Sequence, residues 1–482
     1  MDSAVFEQAL QSLILKKNEF ADVRGFESKT LNFQYRKGEV EQTVSQRLSG
    51  VAARVLANGA WGFSTTEEKD QKSIEKALKT AYKLAVSTGT RVKNKVVTNT
   101  ELAFQARNIL KPDVNPADIG IEEKYAIAAR GERTLGSHSK EIVNSLFLWG
   151  ESTQRETIVN SNGTNVTTDY GIFRITMQAT SRRADVIQNV SESFGANSSG
   201  LKAVLAVNVE TEAEVLAKRA VSLLDAVPAP RGRHDIVMEP SLVGVYIHEA
   251  FGHASESDAV LENRSVLKNK IGRNLGIDEI NVVDDPTIPD LRGSFRYDSE
   301  GTPTQKRDIV TEGVLVGYLN SLETSERLRR GSEQIEGITG DPFSANGAGR
   351  SQDFRHVVMP RMSNTYVGNG KNSFEELLEK VRNGIYLQYS YGGYVQPVKG
   401  EFFFSSQGGY LIENGELTNP IRNSAMSGLT LEVLQNTIGV GNDLGFKFPG
   451  ICGKPSSTGT QLLPVTGGGP HLAVRNVVVG GQ

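Results

Sequence analysis

The chain has 482 residues, 38% hydrophobic and 23% charged, with a formal net charge of −3. That length exceeds what one hydrophobic core serves, so several domains are expected, and the apolar content excludes a mainly disordered chain. No basic stripe points to nucleic acid, and no apolar run reaches the roughly 18 residues that a membrane span needs.

Residues 1–20 lack the basic start and apolar run of a secretory leader. Val5, Phe6, Ala9, Leu10, Leu13 and Leu15 instead fit a short amphipathic helix. The single cysteine, Cys452, cannot form an intrachain disulfide, which fits a reducing compartment, and a cytoplasmic location is expected. The sequons at Asn162 and Asn165 then read as turn and strand chemistry. Residues 30–35 and 51–56 alternate with a period of two and predict strands. Residues 67–87 predict a helix with Ile74, Ala77, Leu78, Ala81 and Leu84 on one face. A connection at Pro112-Asp113 precedes a helix around 121–135. Strands are predicted at 141–149, 155–160 and 172–180, with Asn162-Gly163 as a hairpin turn, then a helix at about 208–225. Pro228-Ala229-Pro230-Arg231-Gly232 neither continues a helix nor joins a central strand, so it marks a boundary. The expected fold is α+β and multi-domain, with mixed β-sheets and helices and a β-rich C-terminal part. The divisions fall at 1–95, 110–227 and 230–482.

Beyond the boundary, Asp235-Ile236-Val237-Met238 predicts a short strand. Ser241 can cap the helix that follows, with Leu242, Val245 and Tyr246 on its apolar face. Near its end stand His248, Glu249 and His253, in the pattern HExxxH. The familiar zinc-protease pattern sets its histidines four apart on one helical face. Five steps of a regular helix turn the second imidazole away by roughly 140°. A π turn would realign residues five apart, and a helix ending at Gly252 could also swing His253 back. The bland reading is a capped helix with two partly buried histidines. Against it, two imidazoles and a carboxylate on an apolar helix need partners, and a metal supplies them.

Other candidates carry less. Cys452 alone reads as a small buried hydrophobe. His138, His234, His356 and His471 lack a comparable neighbourhood. Asp284-Asp285 and Asp298/Glu300 read as loop carboxylates beside Pro286 and Gly301. Asn346-Gly347-Ala348-Gly349-Arg350 has no Lys-Ser/Thr after it to make a phosphate loop.

Five separated segments nevertheless recur in one order. They are His248–His253, Asp298–Gln305, Met359–Tyr366, Gly392–Pro397 with Gly400–Phe404, and Cys452-Gly453-Lys454 with the ending Val478–Gly481. With these the chain resembles the TldD/PmbA family, most strongly over residues 230–482. The resemblance implies a zinc (Zn2+) peptidase, cytoplasmic, acting on short or unfolded peptides. It implies His248, His253 and Cys452 as metal ligands and Glu249 as the base toward a zinc-bound water. It also implies a dimer, either of like chains or with a PmbA/TldE-like subunit that generally lacks HExxxH. The stretch Ala254-Ser255-Glu256-Ser257-Asp258 departs from the Gly-Leu-Glu-Gly/Ala-Asp type found in many members, which touches loop shape and no ligand.

Two imidazoles and a thiolate leave a fourth position open for water, as expected of a catalytic zinc. Two alternatives remain: a cysteine hydrolase using Cys452 and a histidine, and a non-catalytic binding or assembly subunit of a peptidase complex. The glycine-flanked segments Gly392–Val395 and Gly408–Leu411 are expected to offer strand edges to which an extended peptide could add.

Overall fold

The structure is a computed structural model that describes residues 2–98, 103–109, 114–197, 200–331 and 341–481. The connection expected at Pro112-Asp113 lies outside them. Seven strands form the first sheet, in the order Ala60–Thr66, Glu39–Ala57, Phe20–Arg36, Ile142–Asn160, Asn165–Arg183, Gln105–Ile109. Val186–Asn197 also pairs along Asn165–Arg183. The sheet therefore takes strands from both the first and the second of the expected divisions.

Its central strands are much longer than the segments whose alternation is visible in the sequence. The first half of Glu39–Ala57 is almost wholly exposed while Gly50–Ala57 is buried on both faces, so the apolar residues gather only where the ribbon crosses the core. Asn162-Gly163 does turn one strand into the next, with Gly163 at φ 97°. The helix Gln71–Gly89 starts at an Asp70 cap and buries Ile74, Ala77, Leu78, Ala81 and Ala85. Leu84, expected on that face, is 47% exposed, because Ala85 completes the buried stripe instead. The helices Ile121–Ser137 and Val209–Ser222 lie where they were expected.

The C-terminal part holds two further large sheets. Gly384–Gln396, Gly232–Met238, Leu472–Gly481, Ser424–Leu429 and Glu401–Glu413 pair in sequence, and the last pairs back onto the first, closing a barrel. A six-stranded sheet runs Val314–Leu315, Arg307–Thr311, Val282–Asp284, Asn364–Val367, Gly459–Gly469, Gly445–Ser456. Asp284 thus ends a strand rather than sitting in a loop. Buried between the sheets is the helix Pro240–Tyr246. Its cap is Glu239, whose carboxylate accepts from Leu242 N–H, while Ser241 donates to that same carboxylate instead of capping. Tyr246 packs edge-on against Phe402 and Phe404 of the barrel.

Strand pairing corrects one expectation. Glu401–Glu413, which carries Gly408 and Gly409, is flanked by Gly384–Gln396 on one side and by Glu416–Arg422 and Ser424–Leu429 on the other. No edge is left at Gly408–Leu411 for a second peptide, whereas Gly392–Val395 pairs only with Phe402–Ser405 among the described residues. The glycines serve close packing within the barrel, since a Cβ on Gly409 would meet the Tyr386 carbonyl at 1.9 Å. Gly445–Ser456 closes one edge of the six-stranded sheet, pairing with Gly459–Gly469 alone among the described residues, and it carries Cys452.

Candidate metal centre

The apolar run from Leu242 to Phe251 drives this helix fully into the core, so its polar side chains are carried inside with it. At Ile247 the α-helix changes to a π-helix that runs to Gly252 and resumes as a short α-turn at His253–Ser255. The widened turn brings residues five apart onto one face. The rings of His248 and His253 stand 5.4 Å apart, nearly perpendicular. Gly252 permits the turn to sit tightly, because a Cβ there would strike Met362 Sδ at 2.0 Å.

Cys452 approaches from the edge strand, 199 residues away in sequence, with Sγ 3.4 Å from His253 Nε2. One ligand atom from each of His248, His253 and Cys452 lies within 4.8 Å of the others. His248 is fully buried, and neither ring nitrogen makes a hydrogen bond among the described residues. A buried imidazole without partners costs stability unless something else coordinates it. Donor chemistry fits a zinc ion, for which imidazole and thiolate are the usual ligands. Glu249 Oε2 lies 3.7 Å from His253 Nε2 and keeps 23% of its side chain exposed.

Electrostatics prepare the thiol. Burial alone would push Cys452 up, but His253 and His248 together hold it well below the ordinary thiol value. His253 is raised well above its ordinary value: burial opposes its charge, but Cys452 and Glu256 outweigh that.

Behind these groups stands a buried charged set that sequence reasoning missed. Glu256 accepts from His253 Nδ1 at 3.0 Å and pairs with Lys454 Nζ at 2.9 Å. Burial works against its charge, yet Lys454 and His253 hold its carboxyl far below the usual range. That hydrogen bond keeps the proton on Nδ1 and leaves Nε2 facing Cys452. Arg361, fully buried, donates to the Cys452 carbonyl at 2.8 Å and lies 3.7 Å from Glu256. Lys454 also reaches Asp258 at 2.8 Å. So Ala254–Asp258 supplies the support of the site. The available signal was a carboxylate three residues beyond His253, one turn along the same face.

The remaining candidates lie elsewhere. His138 is exposed at the end of a helix. His234 lies on the barrel strand Gly232–Met238. His356 bonds Asp353, and His471 lies between Asp443 and Tyr386. Asp284 pairs with Arg307 and accepts from Ser363 and Thr365, while Asp285 accepts from Thr287. Asp298 and Glu300 are buried, not open loop residues: Asp298 accepts from the Gly349 backbone and Glu300 pairs with Arg54. Gly347 and Gly349 pack on Pro303 and Glu300.

Three family models match in order. They are PmbA/TldA metallopeptidase domain 1 over residues 21–85, the central domain over 114–224 and the C-terminal domain over 231–481. A protein of Methanothermobacter thermautotrophicus named a metalloprotease is 34% identical over 463 residues, covering 96% of each chain. A Saccharolobus solfataricus protein named a zinc metalloprotease TldD homolog is 27% identical over 441 residues, covering 90% of each. In fold, the chain matches a candidate modulator of a DNA gyrase from Thermotoga maritima at TM-score 0.76 and 21% identity, covering 99% of this chain and 100% of that one. TldE from Thermococcus kodakarensis matches at TM-score 0.71 and 16% identity, covering 99% of each. With matches to all three domains and to full-length relatives, the chain belongs to the PmbA/TldD metallopeptidase family.

Proposed function

We propose that the chain is a zinc-dependent peptidase that hydrolyses short or unfolded peptides, with Glu249 as its general base. The observation that carries this reading is the convergence of His248, His253 and Cys452 at a π-helical turn, with His248 otherwise unpartnered. Zinc held by these three side chains supplies a Lewis acid that polarises the scissile carbonyl and acidifies water. Glu249, the acid at the site's partly open side, takes the proton of the attacking water and returns it to the leaving amine. Glu256 fixes the tautomer of His253, and Lys454 and Arg361 fix Glu256. An extended substrate suits the one-sided strand Gly445–Ser456, whose outer backbone can pair with a second chain. A folded protein has no such backbone to offer. The reading includes cytoplasmic action and pairing with a second copy or a PmbA/TldE-like subunit. Tyr394 and Phe403, stacked yet 61% and 38% exposed on the barrel, suit such a contact.

The cysteine–histidine contact of 3.4 Å also favours a second reading, a cysteine hydrolase. Cys452 is only 2% exposed, a poor position for a nucleophile and a good one for a ligand.

Glu249→Gln is the test. The variant is expected to keep about one zinc per chain while turnover falls by about 10²–10⁴. Loss of zinc would make Glu249 a ligand, and unchanged turnover would remove it from the chemistry.

A further inference from the structure

An open cavity of ≈ 780 Å³ lies between the N-terminal sheet and the hairpin that carries Cys452. Trp149 and Phe33, stacked on each other, are in its wall, and Ile451, Leu462 and Pro464 close it from the hairpin side. Successive side chains of a strand point to opposite faces. Cys452 is buried toward the histidines, while Ile451, half exposed, lines the cavity. An extended peptide crossing this strand would reach the cavity within a few residues, at about 3.3 Å each.

Two arginines, Arg174 and Arg292, line this cavity. Arg292 is 7% exposed, and among the described residues its Nε has no partner and its one hydrogen bond is a long 3.4 Å contact to the Pro449 carbonyl. Arg174 donates to Ser193 at 3.0 Å, and its Nε is likewise buried and unpartnered. Neither forms an ion pair with a carboxylate of the described residues. Among the described residues the one acid in the wall, Glu151, is already held by Lys124 at 2.6 Å and Trp149 at 2.9 Å. Burial first, then the like charge of Arg174, hold Arg292 down to about 9. A buried guanidinium at Arg292 and a partly buried one at Arg174, facing one cavity with no carboxylate partner among the described residues, are unfavourable for the empty protein and favourable for an anion that enters it.

Resting on the peptidase reading, we propose that Arg174 and Arg292 form a carboxylate-binding subsite that anchors the peptide substrate beside the metal centre. The carboxylate is either the peptide's terminus or an acidic side chain. Planar guanidiniums suit either one through paired hydrogen bonds.

The test uses the full-length chain with zinc and labelled unstructured peptides of one sequence. One pair ends in a free carboxylate or an amide, and a second pair exchanges an internal Glu for Gln. Binding is followed by anisotropy with the Glu249→Gln protein, and cleavage with the wild type. The carboxylate member of one pair is expected to bind on the order of 10-fold tighter. Which pair responds identifies the source of the carboxylate. Arg292→Gln and Arg174→Gln should each collapse that ratio toward one, and Arg292→Lys should restore part of it. The thermal midpoint of Arg292→Gln should equal or exceed that of the wild type, because a buried charge without a carboxylate partner has been removed. No preference in either pair, a ratio that survives Arg292→Gln, or a lowered midpoint would each overturn the subsite. Preferential binding without cleavage would sink the peptidase reading alone, and cleavage without preference would sink the subsite alone.

Discussion

Cys452 joins two demands that rarely coincide. It is nearly buried, so its thiol should resist ionisation, yet the two imidazoles beside it favour the thiolate. A thiolate is the form that ligates zinc. Cys452→Ala removes little volume, so unfolding should shift only modestly. Zinc affinity should fall by at least 10–100-fold, about what loss even of an outer-shell partner costs, and cleavage with it. Zinc titration of the purified variant reads this directly, and wild-type affinity would exclude Cys452 as a ligand. His248 and Glu249 could be singled out in the sequence because they are adjacent on one apolar helix. The nearness of Cys452 could not: no local pattern links residues 199 apart, and only the family resemblance pointed to it. Arg361 and Lys454 were harder still, since a buried cation looks like a surface one until its burial is known.

At the scale of elements, the site depends on how closely one helix lies against one strand. A Cβ on Gly244 would meet the Gly467 backbone at 2.7 Å, and one on Gly252 would meet Met362 Sδ at 2.0 Å. Backbone cannot yield, whereas a methionine can rotate part of the way. Gly252→Ala should therefore cost about 1–3 kcal/mol, the usual range for overpacking, and Gly244→Ala should cost more. Chemical unfolding of both variants checks the order, and a Gly244→Ala protein as stable as wild type would contradict the packing. The glycine run 467–469 has its explanation here, as the floor on which the helix rests. The π turn was one of two routes that the HExxxH spacing allowed, and local residues could not choose between them. That choice depends on Met362 and on the strand bearing Cys452, both remote in sequence. Elements with a clear period, such as Val209–Ser222, were legible. The exposed half of Glu39–Ala57 was not, because a ribbon outside the core has no apolar period to display.

Across the whole molecule, the N-terminal sheet is tied to the C-terminal part through buried charge. Arg54, on the strand Glu39–Ala57, bonds Asp22 in its own sheet and Glu300 across the contact at 3.0 Å. The two carboxylates hold its guanidinium above its ordinary value despite burial. Removing the cation strands two buried acids, so Arg54→Met should destabilise the protein by about 3–5 kcal/mol. Denaturant unfolding measures it, and a change below about 1 kcal/mol would show that the pairing is incidental. Asp298 and Glu300 looked like loop acids beside glycine because their partner Arg54 lies 246 residues from Glu300. None of the described helices is long and apolar enough to cross a membrane.

The central claim is that His248, His253 and Cys452 hold the zinc on which peptide hydrolysis depends. It is tested most directly by stripping the protein with a chelator and measuring cleavage of an unfolded peptide as zinc is returned. Activity should be absent at the start, rise in proportion to zinc, and level off at about one ion per chain. Full activity in the stripped protein would contradict the account.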